Sequence, residues 1–119
     1  MMWRVEYTDE FALWWSTLTA AQQAALEASV RMLERFGPRL TRPYADQVKG
    51  SRHANMKELR TQCQGSPLRT FFAFDPRRSA ILLIGGDKTG DDRFYERMLP
   101  RADQLYDDYL QELRAEGLI

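Results

Sequence analysis

The chain has 119 residues, 44% of them hydrophobic and 12% aromatic, with a formal net charge of zero, the composition of one ordinary globular domain, 1–119, and not of a disordered segment. Its longest apolar run, Ala80–Ile84, is far too short to cross a bilayer, and the charges within "MMWRVEYTDE" are not those of a signal peptide. The single cysteine, Cys63, has no second thiol to pair with, so a reducing, cytoplasmic setting without membrane association is expected.

In chain order, "RVEY" (4–7) alternates as a short strand does. Phe11, Trp14, Trp15 and Leu18 then fall on one stripe of a helix beginning near Asp9, with the tryptophans as core anchors. Thr19 and Gln22 have capping-box spacing, and Leu26, Val30 and Leu33 carry a second helix to Phe36, where Gly37-Pro38 stops it. After a loop at 37–55 the period changes to two. "MKELRTQ" (56–62), "PLRTFFAF" (67–74) and "SAILLIG" (79–85), joined by short turns, predict an antiparallel meander whose last strand is covered on both faces. From Asp91 the pattern is helical again, with Phe94, Met98, Leu105, Tyr109 and Leu113 on one stripe. Pro100 predicts a short turn, a break, and a new helix starting there. Tyr106 and Leu110 are expected on a residual exposed stripe, open to a partner segment or a second copy.

Zero net charge conceals a segregated field. Residues 35–78 hold ten basic side chains against Asp46, Glu58 and Asp75, a net of +7, between flanks of −3 and −4. Such a field can attract an anion while the whole chain stays neutral.

The stretch "IGGDKTGDDRFYERM" (84–98) invites three readings. It is not a phosphate-cradling P-loop, because Asp87 precedes Lys88 where glycine is required. It is not an EF-hand, because Asp92 and Met98 stand where Gly and a bidentate Glu belong. Asp91 and Asp92 are adjacent at a helix start, where negative charge is favourable in itself. His53 has no partner for a zinc site, so no metal and no cofactor are expected. What remains is Lys88, Arg93, Tyr95 and Arg97 beyond the last strand, where the glycines of "GGDKTGDD" are expected to let the chain bend away from the sheet and bring Lys88 back over its face.

On the strands, Leu59 should face the core and Glu58 and Arg60 the other side. Pairing across "CQGS" then places Arg60 near Arg69, and two guanidinium groups so placed need an anion between them. Glu58 is one candidate for that anion, and a phosphate, which matches the guanidinium fork, is the other.

"QVKGSRHANMKELR" (47–60), "PLRTFFAF" (67–74) and "ILLIGGDKTGDDRFYERM" (81–98), in this order, resemble the RelE/ParE superfamily of type II toxins, in the HigB-like, phage Gp49-related branch. The resemblance implies an α+β, RelE-like fold: an N-terminal strand and helical hairpin, a three-stranded antiparallel meander and a C-terminal helix. It implies a metal-independent mRNA interferase, cutting messenger RNA on the ribosome and arresting translation. It further implies a helix-turn-helix, HigA-like antitoxin as partner, through which alone operator DNA is bound. Carried over residue by residue, Arg60, Arg69, Lys88 and Tyr95 form the catalytic set, and Lys49, Arg52, His53, Lys57 and Arg93 the RNA contacts. Cleavage without metal needs a base for the 2′-hydroxyl, cations for the phosphate and an acid for the leaving oxygen. Glu58 and His53 stand beside Tyr95 and Lys88 as candidates for the proton transfers. Two alternatives keep the fold: a ParE-like toxin that poisons gyrase, and an inactive antitoxin-binding or regulatory module.

Overall fold

The computed structural model describes residues 2–119. A five-stranded sheet in the order β1-β5-β4-β3-β2 lies between two helical layers. The strands are β1 (Val5–Tyr7), β2 (Ala45–Gln47), β3 (Lys57–Cys63), β4 (Ser66–Phe74) and β5 (Ala80–Asp87); the helices are α1 (Asp9–Ser16), α2 (Ala20–Phe36) and α3 (Phe94–Ala115). The meander is the expected one, β3 to β4 to β5, and β1 adds to β5 in parallel. No helix is long and apolar enough to cross a membrane among the described residues.

The helical hairpin forms where local chemistry asks for it. The Thr8 hydroxyl accepts from Phe11 N at the start of α1, and a complete capping box joins Thr19 and Gln22 at the start of α2. At the end of α2, Gly37 takes φ 55°, and its ideal Cβ would lie 2.5 Å from the Trp3 ring, so glycine is required twice over. α1 and α2 bury Phe11, Leu26 and Leu33 against Leu59, Phe72 and Leu82 on one sheet face. α3 buries Phe94, Met98, Leu99 and Leu105 against Phe71, Ala73, Ile81 and Leu83 on the other. Ordinary strand alternation sends Phe71 and Phe72 to opposite layers, the register shift beside them leaves Leu83 as an extra residue in β5, and β5 is indeed buried on both sides.

Four expectations change. The loop at 37–55 contains β2, three residues that extend the sheet beyond β3. α3 does not break at Pro100 but runs through it. Pro100 and Glu96 both lie on the exposed side of α3, where water can satisfy the Glu96 carbonyl. The apolar stripe beneath holds the helix on course. Tyr106 is not exposed: it is 3% accessible and donates to the Phe74 carbonyl at 3.2 Å, while Leu110 packs on the same core. Finally, Gly85 and Gly86 are not where the chain bends. They make room for rings, Trp14 against Gly85 and Phe94 against Gly86, and the turn comes at Gly90 with φ 62°.

Candidate active site

The two-residue turn Gln64-Gly65, both at positive φ, sets the register of β3 on β4 so that Arg60 lies directly opposite Arg69. Both side chains share the α3 face of the sheet with Glu58 and Phe71. β5 ends beside them, and Lys88 N donates to the Pro67 carbonyl at 3.1 Å, fixing the exit of the chain. The following loop is tied by its own aspartates. Asp87 accepts from the Thr89 N–H and hydroxyl, Asp91 from Arg93 N, and Asp91 also pairs with Arg97. The Thr89 hydroxyl, with its N–H and Ser66, outweighs burial and holds the Asp87 carboxyl below its ordinary range. The loop delivers Tyr95 on the first turn of α3, its ring edge-on to Phe71 at 6.1 Å.

The four residues converge, and Glu58 is their centre. Glu58 is only 3% exposed; it accepts from Arg60 Nε at 2.9 Å and from the Tyr95 hydroxyl at 2.6 Å, and lies 3.8 Å from Arg69 Nε. Arg60 Nη2 also reaches Asp46 on β2 at 3.5 Å. A hydrogen bond from Arg42, acting against burial, holds Asp46 ionised below the usual range. Arg69 is 12% exposed, donates to its neighbour's carbonyl, Leu68, at 3.1 Å, and keeps a buried Nε with no hydrogen-bond partner among the described residues. Lys88 Nζ stands 5.4 Å from the centre of the Tyr95 ring. Burial, reinforced by the hydrogen bond to Glu58, pushes the Tyr95 phenol above its ordinary value, and Arg69 only partly offsets this. Tyr95 is therefore a hydrogen-bond donor at neutral pH, not a resting base.

The other predicted residues do not join this cluster. Ser51 and the Arg52 N–H bind the buried Asp103 carboxylate at 2.5 and 3.0 Å. Arg52 and His53 both pair with Asp107, His53 at 2.7 Å, and the His53 ring stands edge-on to Tyr106. Asp107 lies twelve residues beyond Tyr95, about 18 Å along α3. These side chains fasten the loop after β2 to the helix, and His53 is out of reach as a base. Lys57 is on the opposite sheet face, 5.9 Å from the Phe74 ring. Lys49 is exposed on the fastened loop and Arg93 at the start of α3, both open to solvent. Sequence reasoning missed Asp103 and Asp107, which sat in what looked like an acidic helix surface. It missed Asp46 as well, the strand that carries it having been read as loop.

Two cations, a buried carboxylate, a protonated phenol and an ammonium thus face one side of the sheet. The set can hold a phosphodiester and move protons about it without a metal ion. Residues 13–107 match the family of phage-derived Gp49-like proteins. Over 105 residues the chain is 44% identical to "Putative toxin HigB3" of Mycobacterium tuberculosis (strain ATCC 25618 / H37Rv), spanning 87% of this chain and 90% of that one. From the same organism, "Putative toxin HigB2" is 39% identical over 106 residues, 87% of this chain and 53% of that protein, whose length is thus only about half spanned. A solved structure of E. coli toxin RelE, a double arginine-to-alanine mutant in the free state, matches with TM-score 0.58 over 82% of this chain and 96% of that one. At 11% identity that likeness is one of fold alone.

Proposed function

The chain belongs to the phage-derived Gp49-like family, and we propose that it is the toxin of a type II toxin–antitoxin pair, a metal-independent endoribonuclease that cuts messenger RNA. The observation that carries this reading is the gathering of Arg60, Arg69, Lys88 and Tyr95 about Glu58 on one sheet face. In the proposed reaction Arg60 and Arg69 hold the scissile phosphate and offset its growing charge. The 2′-hydroxyl gives its proton to the Tyr95 oxygen as the phenolic proton passes to Glu58, along the 2.6 Å bond already present. The new bond forms between the 2′-oxygen and phosphorus, the bond to the 5′-oxygen breaks, and Lys88 supplies the proton to that leaving oxygen. This relay suits a phenol whose environment resists free ionisation.

Lys49 and Arg93, both exposed, contact the flanking RNA backbone. The antitoxin is a helix-turn-helix protein through which operator DNA is bound, and the message is engaged on the ribosome in the cytoplasm. One feature favours a second reading. Glu58 already neutralises part of the cationic charge, as in a module that only pairs with an antitoxin. Primer extension on RNA from cells expressing the chain separates these readings. Discrete cuts within translated codons, lost in a folded Arg69→Ala variant and indifferent to chelator in the purified protein, support the nuclease. Growth arrest with DNA breaks and no RNA cuts favours gyrase poisoning, and neither effect favours the inactive module.

A further inference from the structure

β2 ends its pairing early, and this leaves a second feature beside the arginine pair. The register places Ala45 against Leu59, and Arg60 N donates to the Tyr44 carbonyl at 2.8 Å as the last bond on that side. Antiparallel alternation turns the main-chain groups of Glu58, Arg60 and Gln62 toward β2. Past Tyr44 there is no strand left, so the N–H and C=O of Gln62 face an open edge.

Beside this edge runs a groove of about 450 Å³, within the range of small-molecule sites. One wall is the small-residue stripe Ala25, Ala28 and Ser29 of α2, with Met32 below it. Tyr44 forms the other wall, 46% exposed although aromatic. Arg60 and Arg69 border the groove at its end.

We propose that this groove is a nucleobase subsite: a base of single-stranded RNA, next to the phosphate held by Arg60 and Arg69, stacks on Tyr44 and is read by the main-chain N–H and C=O of Gln62. The inference rests on the ribonuclease reading of the arginine pair and deepens it by naming where a base is recognised. Single-stranded RNA is recognised through such stacking of unpaired bases on aromatic rings and hydrogen bonding to their edges. The small residues of α2 leave a slot that a flat ring fills. Two arginines among the residues that border it suit a polyanion more than a peptide strand, the other occupant an open edge invites.

The test maps cut sites and rates on one messenger RNA with the purified full chain and three variants. Loss of one stacked base weakens binding roughly 10- to 100-fold, so Tyr44→Ala slows cutting by that factor and redistributes the cut sites, while Tyr44→Phe restores both. Gln104→Ala, at an exposed position on α3 outside both the groove and the arginine cluster, leaves the pattern unchanged. Thermal unfolding confirms that each variant is folded. A Tyr44→Ala protein that cuts the same sites at the wild-type rate overturns the subsite and leaves the nuclease standing. The subsite is equally overturned if Tyr44→Ala spares cleavage but weakens antitoxin binding, since the edge then serves a peptide. A wild-type protein that makes no cuts removes the nuclease reading and this inference with it.

Discussion

Glu58→Gln separates the energetic role of this side chain from its chemical one. The carboxylate is 3% exposed and joins three partners, Arg60 at 2.9 Å, Tyr95 at 2.6 Å and Arg69 at 3.8 Å. Gln keeps the shape but removes the charge, leaving two opposed guanidinium groups without the carboxylate between them. Breaking a fully buried ion pair costs about 3–5 kcal/mol. Arg60 is 31% exposed and keeps Asp46, so part of this is screened and about 2–3 kcal/mol is the expected loss. For a domain of this size that lowers Tm by about 10 °C, measured by differential scanning calorimetry. RNA binding should move the other way. With the competing carboxylate gone, an uncleavable 2′-deoxy oligonucleotide binds more tightly to Glu58→Gln in low salt, by fluorescence anisotropy. Cleavage falls by about 10²-fold or more, because the amide cannot take the proton from Tyr95. A variant that melts with the wild type and cuts at the wild-type rate refutes the assignment of Glu58 as the hub.

Two further outcomes test the frame around the site. Gly85→Ala places a methyl group 2.2 Å from the Trp14 ring; overpacking of this kind costs about 1–3 kcal/mol, and an unchanged Tm would show that the ring is free to move. Burial, aided at Tyr95 and Tyr109 by carboxylate hydrogen bonds, raises the phenols of Tyr95, Tyr106 and Tyr109, although a hydrogen bond from Asn55 works against this at Tyr106. The folded state thus holds these protons more tightly than the unfolded one. The stability they contribute is complete below about pH 10 and is lost as pH rises through the elevated folded values. Urea midpoints measured from pH 9 to 12 should fall as phenolate absorbance appears; flat midpoints across that range contradict the raised values.

Most of the fold was legible because it is written in short-range chemistry. The Phe11, Trp14, Trp15 stripe, the Thr19 capping box and the alternation on β3 and β4 need no distant partner to be recognised. The opposition of Arg60 and Arg69 followed from pairing the strands across "CQGS", and the need for an anion between them left Glu58 and a phosphate as its two candidates. β2 was hidden because three residues, Ala-Asp-Gln, carry no period, and their strand identity comes from pairing with Leu59, Glu58 and Lys57. Pro100 misled because propensity is local, whereas the contacts of Met98, Leu99 and Ala102 with the sheet are not. Arg52 and His53 looked free because their aspartates lie more than fifty residues away. Gly85 and Gly86 read as a bend, since nothing local reveals a ring arriving from another layer.

The order in which the strands are sewn together has a consequence for synthesis. β1 waits for β5, 75 residues later, before Val5 can meet Ala80 and the Thr8 hydroxyl can bond the Leu83 carbonyl. Lys88 and Tyr95 come later still, and α3, which seats the phenol, follows every strand of the sheet. A growing chain therefore carries its arginines bare of ammonium and phenol until the whole sheet has been translated. Any truncation before α3 lacks the phenol, so the cluster assembles only after residues well past β5 have left the ribosome.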